Sequence, residues 1–97
     1  MIVRPSKRFE RQVTAAVRWG QEHHGPTIDI VRAIRRLVED LELNPAMYAL
    51  AENARTPGLR RAYLPSIHYH VYYRANERRG VVLLRDFRHA SRRPIRM

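Results

Sequence analysis

Apolar residues recur at two different spacings along this chain, and the change of spacing divides it. After Ser6, the residues Phe9, Val13, Ala16, Val17 and Gly20 return at helical intervals and form one face of an amphipathic helix. Ser6 stands where an N-cap belongs. The stretch His23 to Pro26 stops this helix, because Gly25 suits a left-handed C-terminal position and Pro26 cannot continue the hydrogen-bond ladder. Thr27 then caps a second helix, with an apolar stripe of Ile30, Val31, Ile34, Leu37, Val38 and Leu41. Arg35–Glu39 and Arg36–Asp40 are i,i+4 pairs on its polar side, solvated and worth little each. Asn44-Pro45 ends it, and the short link between the helices predicts an antiparallel hairpin.

Ala46 to Gly58 is a connector with room for one helical turn, closed by the turn signal Thr56-Pro57-Gly58. Beyond it the period falls to two. Leu59 to Leu64 is a first strand, broken by Pro65. Ile67 to Ala75 alternates, with Ile67, Tyr69, Val71 and Tyr73 on one face and His68, His70, Tyr72 and Arg74 on the other. Asn76 to Gly80 is a hairpin loop, and Val81 to His89 is the next strand. Val81 to Leu84 are continuously apolar, which predicts a central strand covered on both faces. Residues 1–4 offer a short edge strand.

The expected fold is therefore a single α+β domain over residues 1–97. A short edge strand and an N-terminal antiparallel helical hairpin (1–44) lead to a connector (45–58). The hairpin packs on one face of a small, mainly antiparallel sheet of three to four strands (59–89), and a basic tail (90–97) follows.

Composition adds a compartment and a partner class. There is no cysteine, which removes disulfides, thiol catalysis and cysteine-based zinc sites. No apolar run is long enough to span a membrane, and the N-terminus lacks a hydrophobic signal region, so the expected location is the cytoplasm. The net charge is +10, and it is lopsided. Residues 1–54 hold eight basic and seven acidic side chains, a net of +1. Residues 55–97 hold eleven arginines against Glu77 and Asp86, a net of +9. Such an asymmetry calls for an acidic partner, either nucleic acid or an acidic protein segment. Lys7 is the sole lysine, and arginine is the better fork for phosphate or carboxylate. High-GC coding would explain arginine over lysine, but not the loss of acids from one half.

A helical hairpin, then "GLRRAYL", then "HVYYRANERRGVVLLRDFRHASRRP" resembles the RelE/ParE superfamily of toxins from bacterial type II toxin–antitoxin pairs. Three stretches carry the likeness: Leu59 to Arg61, Tyr72 to Arg74, and Leu83 to Arg92. Each motif is weak alone; their order and spacing together are more specific. The resemblance implies one scaffold with two activities. RelE-like members are ribosome-dependent endoribonucleases, metal-independent, that cut mRNA in the A site. ParE-like members poison DNA gyrase by binding it. Both are neutralised by a cognate antitoxin with an acidic or amphipathic segment. The run from Tyr72 to His89 is closer in character to the ParE-like branch.

An RNase of this type drives the ribose 2′-OH onto its own phosphate, and needs a proton acceptor, charge stabilisation and a proton donor. His89 is the candidate acid or base, with Arg61, Arg74 and Arg92 on the phosphate. His89 at a strand end equally suits a structural role. The gyrase reading needs only a docking surface, for which Arg60, Arg61, Tyr72, Arg74, Arg85, Arg88, Arg92 and Arg93 are the candidates. Tyr72, on the face opposite Tyr69 and Tyr73, is expected to be the exposed tyrosine. His68 and His70 form an HxH pair without an evident third ligand, so no metal and no cofactor is expected. Asp86 and Arg88 make the outer face of the last strand unusually polar. The Arg85–Met97 stretch thus reads first as the end of a docking surface for gyrase, then as an RNase site facing ribosome and mRNA, and last as a plain phosphate-binding module with no toxicity and a steep salt dependence.

Overall fold

Ser6 begins the folded core by capping a helix. Its Oγ accepts the Phe9 N–H at 3.0 Å and also donates to the Arg85 carbonyl at 3.1 Å. The structure, a computed structural model, describes residues 1–23, 27–52 and 54–91, except the side chains of Thr27 and Ile28. The elements are β1 (Ile2–Pro5), α1 (Lys7–Glu22), α2 (Thr27–Leu43), β2 (Leu59–Leu64), β3 (Tyr69–Asn76) and β4 (Val81–His89). The expected hairpin stop at Gly25 and Pro26 and the Thr27 side-chain cap lie outside the described residues.

The four strands form one sheet in the order β1-β4-β3-β2. β1 pairs parallel to β4, and the other two pairings are antiparallel. Both helices lie against one face. Phe9, Ile30, Leu37 and Leu41 meet Ala62, Leu64, Val71, Tyr73, Val82, Leu84 and Phe87 in a single core. Burying each large apolar side chain contributes about 1.5–3 kcal/mol. The Tyr73 hydroxyl crosses that core and donates to the Pro45 carbonyl at 2.9 Å, which ties the connector to the sheet.

Several expectations are corrected. Val31 is 47 % exposed, because α2 turns only part of its apolar stripe toward the sheet. β4 is central, as its apolar run required, but Leu83 is 40 % exposed, since among the described residues no element covers the outer face above it. Among the described residues the connector forms no helical turn. Instead Ala51 N donates to Leu59 O, and Arg61 N to Ala49 O, so the connector runs along β2 and satisfies its outer edge. β3 starts at Tyr69, two residues later than the alternation suggested, because His68 adopts a positive φ of 58° and ends the turn after Pro65. The β3–β4 turn closes on Gly80 at φ 65°, where Gly80 N donates to Glu77 O.

Candidate docking face

The register decides which side chains share a face. Leu59, Arg61 and Tyr63 on β2 stand opposite Arg74, Tyr72 and His70 on β3. Arg88 and Leu83 on β4 stand opposite His70 and Arg74. This set occupies the outer face, away from the helices. Arg60 pairs with Tyr73 and so points to the helical side, where its Nη1 donates to the Tyr48 carbonyl at 2.7 Å. It does not join the other arginines.

β4 carries a bulge. Tyr72 stands opposite Asp86 and Tyr73 opposite Leu84, which leaves Arg85 as an extra residue. From there Arg85 Nη1 reaches Thr56 Oγ1, at 3.2 Å, toward the start of β2. The bulge also lets two consecutive residues engage α1. Phe87 packs edge-to-face on Phe9 at 5.8 Å, and Asp86 meets Arg8 Nε at 2.9 Å and Gln12 Nε2 at 3.0 Å. β1 covers β4 only as far as Leu84, and beyond it Gln12 Oε1 accepts the Phe87 N–H at 2.8 Å. Asp86 is 1 % exposed. It is therefore no part of a polar outer face; it serves the helix–sheet joint, and the outer face loses its one acid.

Tyr72 is also 1 % exposed, contrary to expectation. It sits mid-strand on a central strand, between Arg61 and Asp86 as register partners. The exposed tyrosine of this face is Tyr63, at 42 %. Arg74 is exposed beside Gly58, and Arg61, Arg85 and Arg88 are half-buried. Arg92 and Arg93 lie outside the described residues.

His89 is not on this face. It stands opposite Tyr69, whose ring packs against the core, and their rings meet edge-to-face at 5.0 Å. His89 Nδ1 accepts the Ser91 N–H at 3.1 Å and lies 2.7 Å from Ser91 Oγ. A neutral ring bonded this way carries its proton on Nε2. Along β3, Arg74 is five steps from Tyr69, about 17 Å at strand rise. Thus Arg61 and Arg74 share a surface, while His89 lies at one end of the opposite face.

His70 is the member of the face that reading the sequence undervalued. The alternation placed it beside Tyr72, but the HxH spacing drew attention to metal instead. His68 lies outside the strand, with its Nδ1 3.0 Å from the Tyr63 hydroxyl. Among the described residues no group of three His, Cys, Asp or Glu side chains could hold a metal ion. Burial, and then the nearby Arg61, hold the His70 pKa below the usual imidazole value. Gln12 was missed as well. Its signal was a polar residue inside an apolar stripe, three residues after Phe9 and four before Ala16.

Among the described residues, no helix is long and apolar enough to cross a membrane. No curated protein matches the chain. Solved structures are similar in fold. The isolated E. coli RelE toxin superposes with a TM-score of 0.66 at 16 % identity, covering 95 % of this chain and 86 % of that one. A chain of the chromosomal ParDE toxin–antitoxin system from P. aeruginosa superposes with a TM-score of 0.65 at 12 % identity, covering 94 % and 97 %. The two likenesses confirm the α+β architecture equally and do not separate the branches. Residues 3–94 match the family model described as the ParE toxin of the type II toxin–antitoxin system parDE. The chain belongs to the ParE toxin family of type II toxin–antitoxin systems.

Proposed function

We propose that this toxin arrests growth as a binding inhibitor of DNA gyrase, held silent by its cognate antitoxin. The observation that carries the reading is the separation of His89 from Arg61 and Arg74. A ribonuclease site needs its proton-transfer group within hydrogen-bond reach of the reacting atoms, while other groups hold the same phosphate. Here the imidazole shares the helical side with Tyr69, and Arg61, Tyr72 and Arg74 share the other. A docking surface makes no such demand. The outer face offers Arg61, Arg74, Arg85 and Arg88 with exposed Tyr63 and Leu83, a mixture of arginine, aromatic and aliphatic groups suited to protein contact.

The test is induction without the antitoxin, followed by two readouts. Growth arrest with an SOS response, and gyrase-linked DNA cleavage by the purified protein, are expected. Cleaved mRNA on ribosomes, lost in His89→Ala, would replace this reading with the endonuclease. Unimpaired growth would leave only a non-toxic binding module.

A further inference from the structure

The outer face contains one row with two polar atoms out of place. Tyr63 stands opposite His70, and His70 opposite Arg88, so three side chains line up across three strands. Directly opposed residues have Cβ atoms about 5 Å apart. The Tyr63 ring is 5.0 Å from the His70 ring, and Tyr72, next but one along β3, is 6.5 Å from it. Within this row His70 Nδ1 and Arg88 Nε are buried with no hydrogen-bond partner among the described residues. Buried polar groups are paired in the great majority of cases, so two on facing residues point to something both would bind.

No acid of the face meets that need. Asp86, two residues from Arg88, is engaged by Arg8 and Gln12. The groups facing His70 are Arg61 and Tyr63 from β2, Tyr72 from β3 and Arg88 from β4, with His68 behind the Tyr63 hydroxyl. The helices pack on the other side of the sheet. Among the described residues the charged groups facing the imidazole are therefore cationic.

We infer that the Tyr63–His70–Arg88 row receives a carboxylate of an acidic peptide segment, and that His70 takes up a proton as the carboxylate docks. The inference rests on reading the outer face as a protein-docking surface. A carboxylate is planar and matches the edge of an arginine, where Nε and one Nη donate side by side. Its charge works against the burial and the Arg61 repulsion that lower the imidazole's proton affinity, so the imidazole gains a proton and becomes a charged donor to the same anion. A nucleic-acid strand fits less well. It brings a charge at every nucleotide and needs an open cationic track. In the row His70 and Arg88 are instead half-buried, beside the enclosed Tyr72 and the exposed Tyr63 ring. Both His70 and Arg88 are only half-buried as residues, and docking requires their side chains to turn the two nitrogens toward the ligand.

The probe is a blocked twelve-residue peptide of alternating Glu and Leu, titrated calorimetrically into the full chain in two buffers of different ionisation enthalpy. Uptake of up to one proton is expected near neutral pH, with affinity rising by up to about tenfold per unit as pH falls toward 6. Arg88→Gln should weaken binding at least tenfold. His70→Gln should leave binding but flatten its pH dependence, with folding checked by circular dichroism and Arg88→Lys as a charge-preserving control. Undiminished binding by Arg88→Gln, or an unchanged pH slope in His70→Gln, would overturn the inference. Equal competition by a twelve-residue oligothymidylate or by inorganic phosphate would overturn the choice of carboxylate. The docking-face reading is tested separately, by gyrase inhibition in an Arg61→Glu, Arg74→Glu variant. If that variant loses inhibition while the peptide fails to bind, the face stands and the carboxylate row falls.

Discussion

Gln12 and Asp86 join the first helix to the last strand: Gln12 Nε2 donates to Asp86 Oδ1 at 3.0 Å, while its Oε1 accepts the neighbouring Phe87 N–H at 2.8 Å. One amide thus supports both a buried carboxylate and a ladder group that β1 is too short to reach. Removing it strands the Phe87 N–H, at a cost of about 1–3 kcal/mol, and takes one hydrogen bond from a buried carboxylate that keeps only its Arg8 pair. Arg8 pairs with the same carboxylate, but its side chain is 60 % exposed, so solvent screens that pair. We expect Gln12→Ala to destabilise by about 2–4 kcal/mol and Arg8→Ala by about 1 kcal/mol. Urea unfolding midpoints would rank them; the reverse order would show that the ion pair, not the amide, holds the joint.

His68 ends the β2–β3 turn at φ 58°, while its carbonyl accepts the Ala90 N–H at 2.7 Å. Left-handed backbone costs an L-residue about 1–2 kcal/mol, more for β-branched side chains. His68→Gly should be neutral or slightly stabilising despite losing the contact with Tyr63. His68→Val should lose about 1–2 kcal/mol in thermal or urea melts.

The depressed His70 pKa has a consequence for acid stability. Below the ordinary imidazole value the unfolded chain binds this proton more readily than the folded one, so stability rises with pH in that range. The contribution is fully present above about pH 6.5 and is lost as pH falls toward the lowered folded value. His70→Gln should therefore lose less stability than the wild type between pH 7 and pH 5. Parallel acid-destabilisation curves would show that other groups control this window.

The toxicity readout separates the two faces of the sheet. Arg61 and Arg74 share the outer face, whereas His89 is bonded to Ser91 on the other side. Growth arrest should survive His89→Ala and be lost in the Arg61→Glu, Arg74→Glu variant, scored by colony counts after induction with protein levels matched. Loss of arrest in His89→Ala with the fold intact would return His89 to the working site.

Much of the architecture was legible because its causes are local. The Ser6 cap, the three- and four-residue spacing from Phe9 to Gly20, and the Ile30–Leu41 stripe depend on neighbours within one or two turns. β2 from Leu59 to Leu64 is bounded by Gly58 and Pro65, both fixed by backbone chemistry. The alternation along β3 put Tyr69, Val71 and Tyr73 on one face, the face that packs on the core, since a period of two needs no partner to define it. The candidate site was less legible. Face membership was readable for Arg74 and His70, but burial was not, so Tyr72 was expected outside and is enclosed.

By itself, then, the sequence determined a helical hairpin before an antiparallel meander, and a +9 excess concentrated in the second half of the chain. Propensity, period and charge count are properties of the residues in order. The tertiary structure decided how the polar side chains were divided between surfaces. The one-residue bulge at Arg85 brought Asp86 to Arg8 and Gln12 and left the outer face without an acid. Pairing then put His89 with Tyr69 on one side, and Arg61, Tyr72 and Arg74 on the other. The physical reason is that a shift of one residue in a strand reverses side-chain direction, and strand register is set by contacts more than 70 residues apart, such as Gln12 with Phe87.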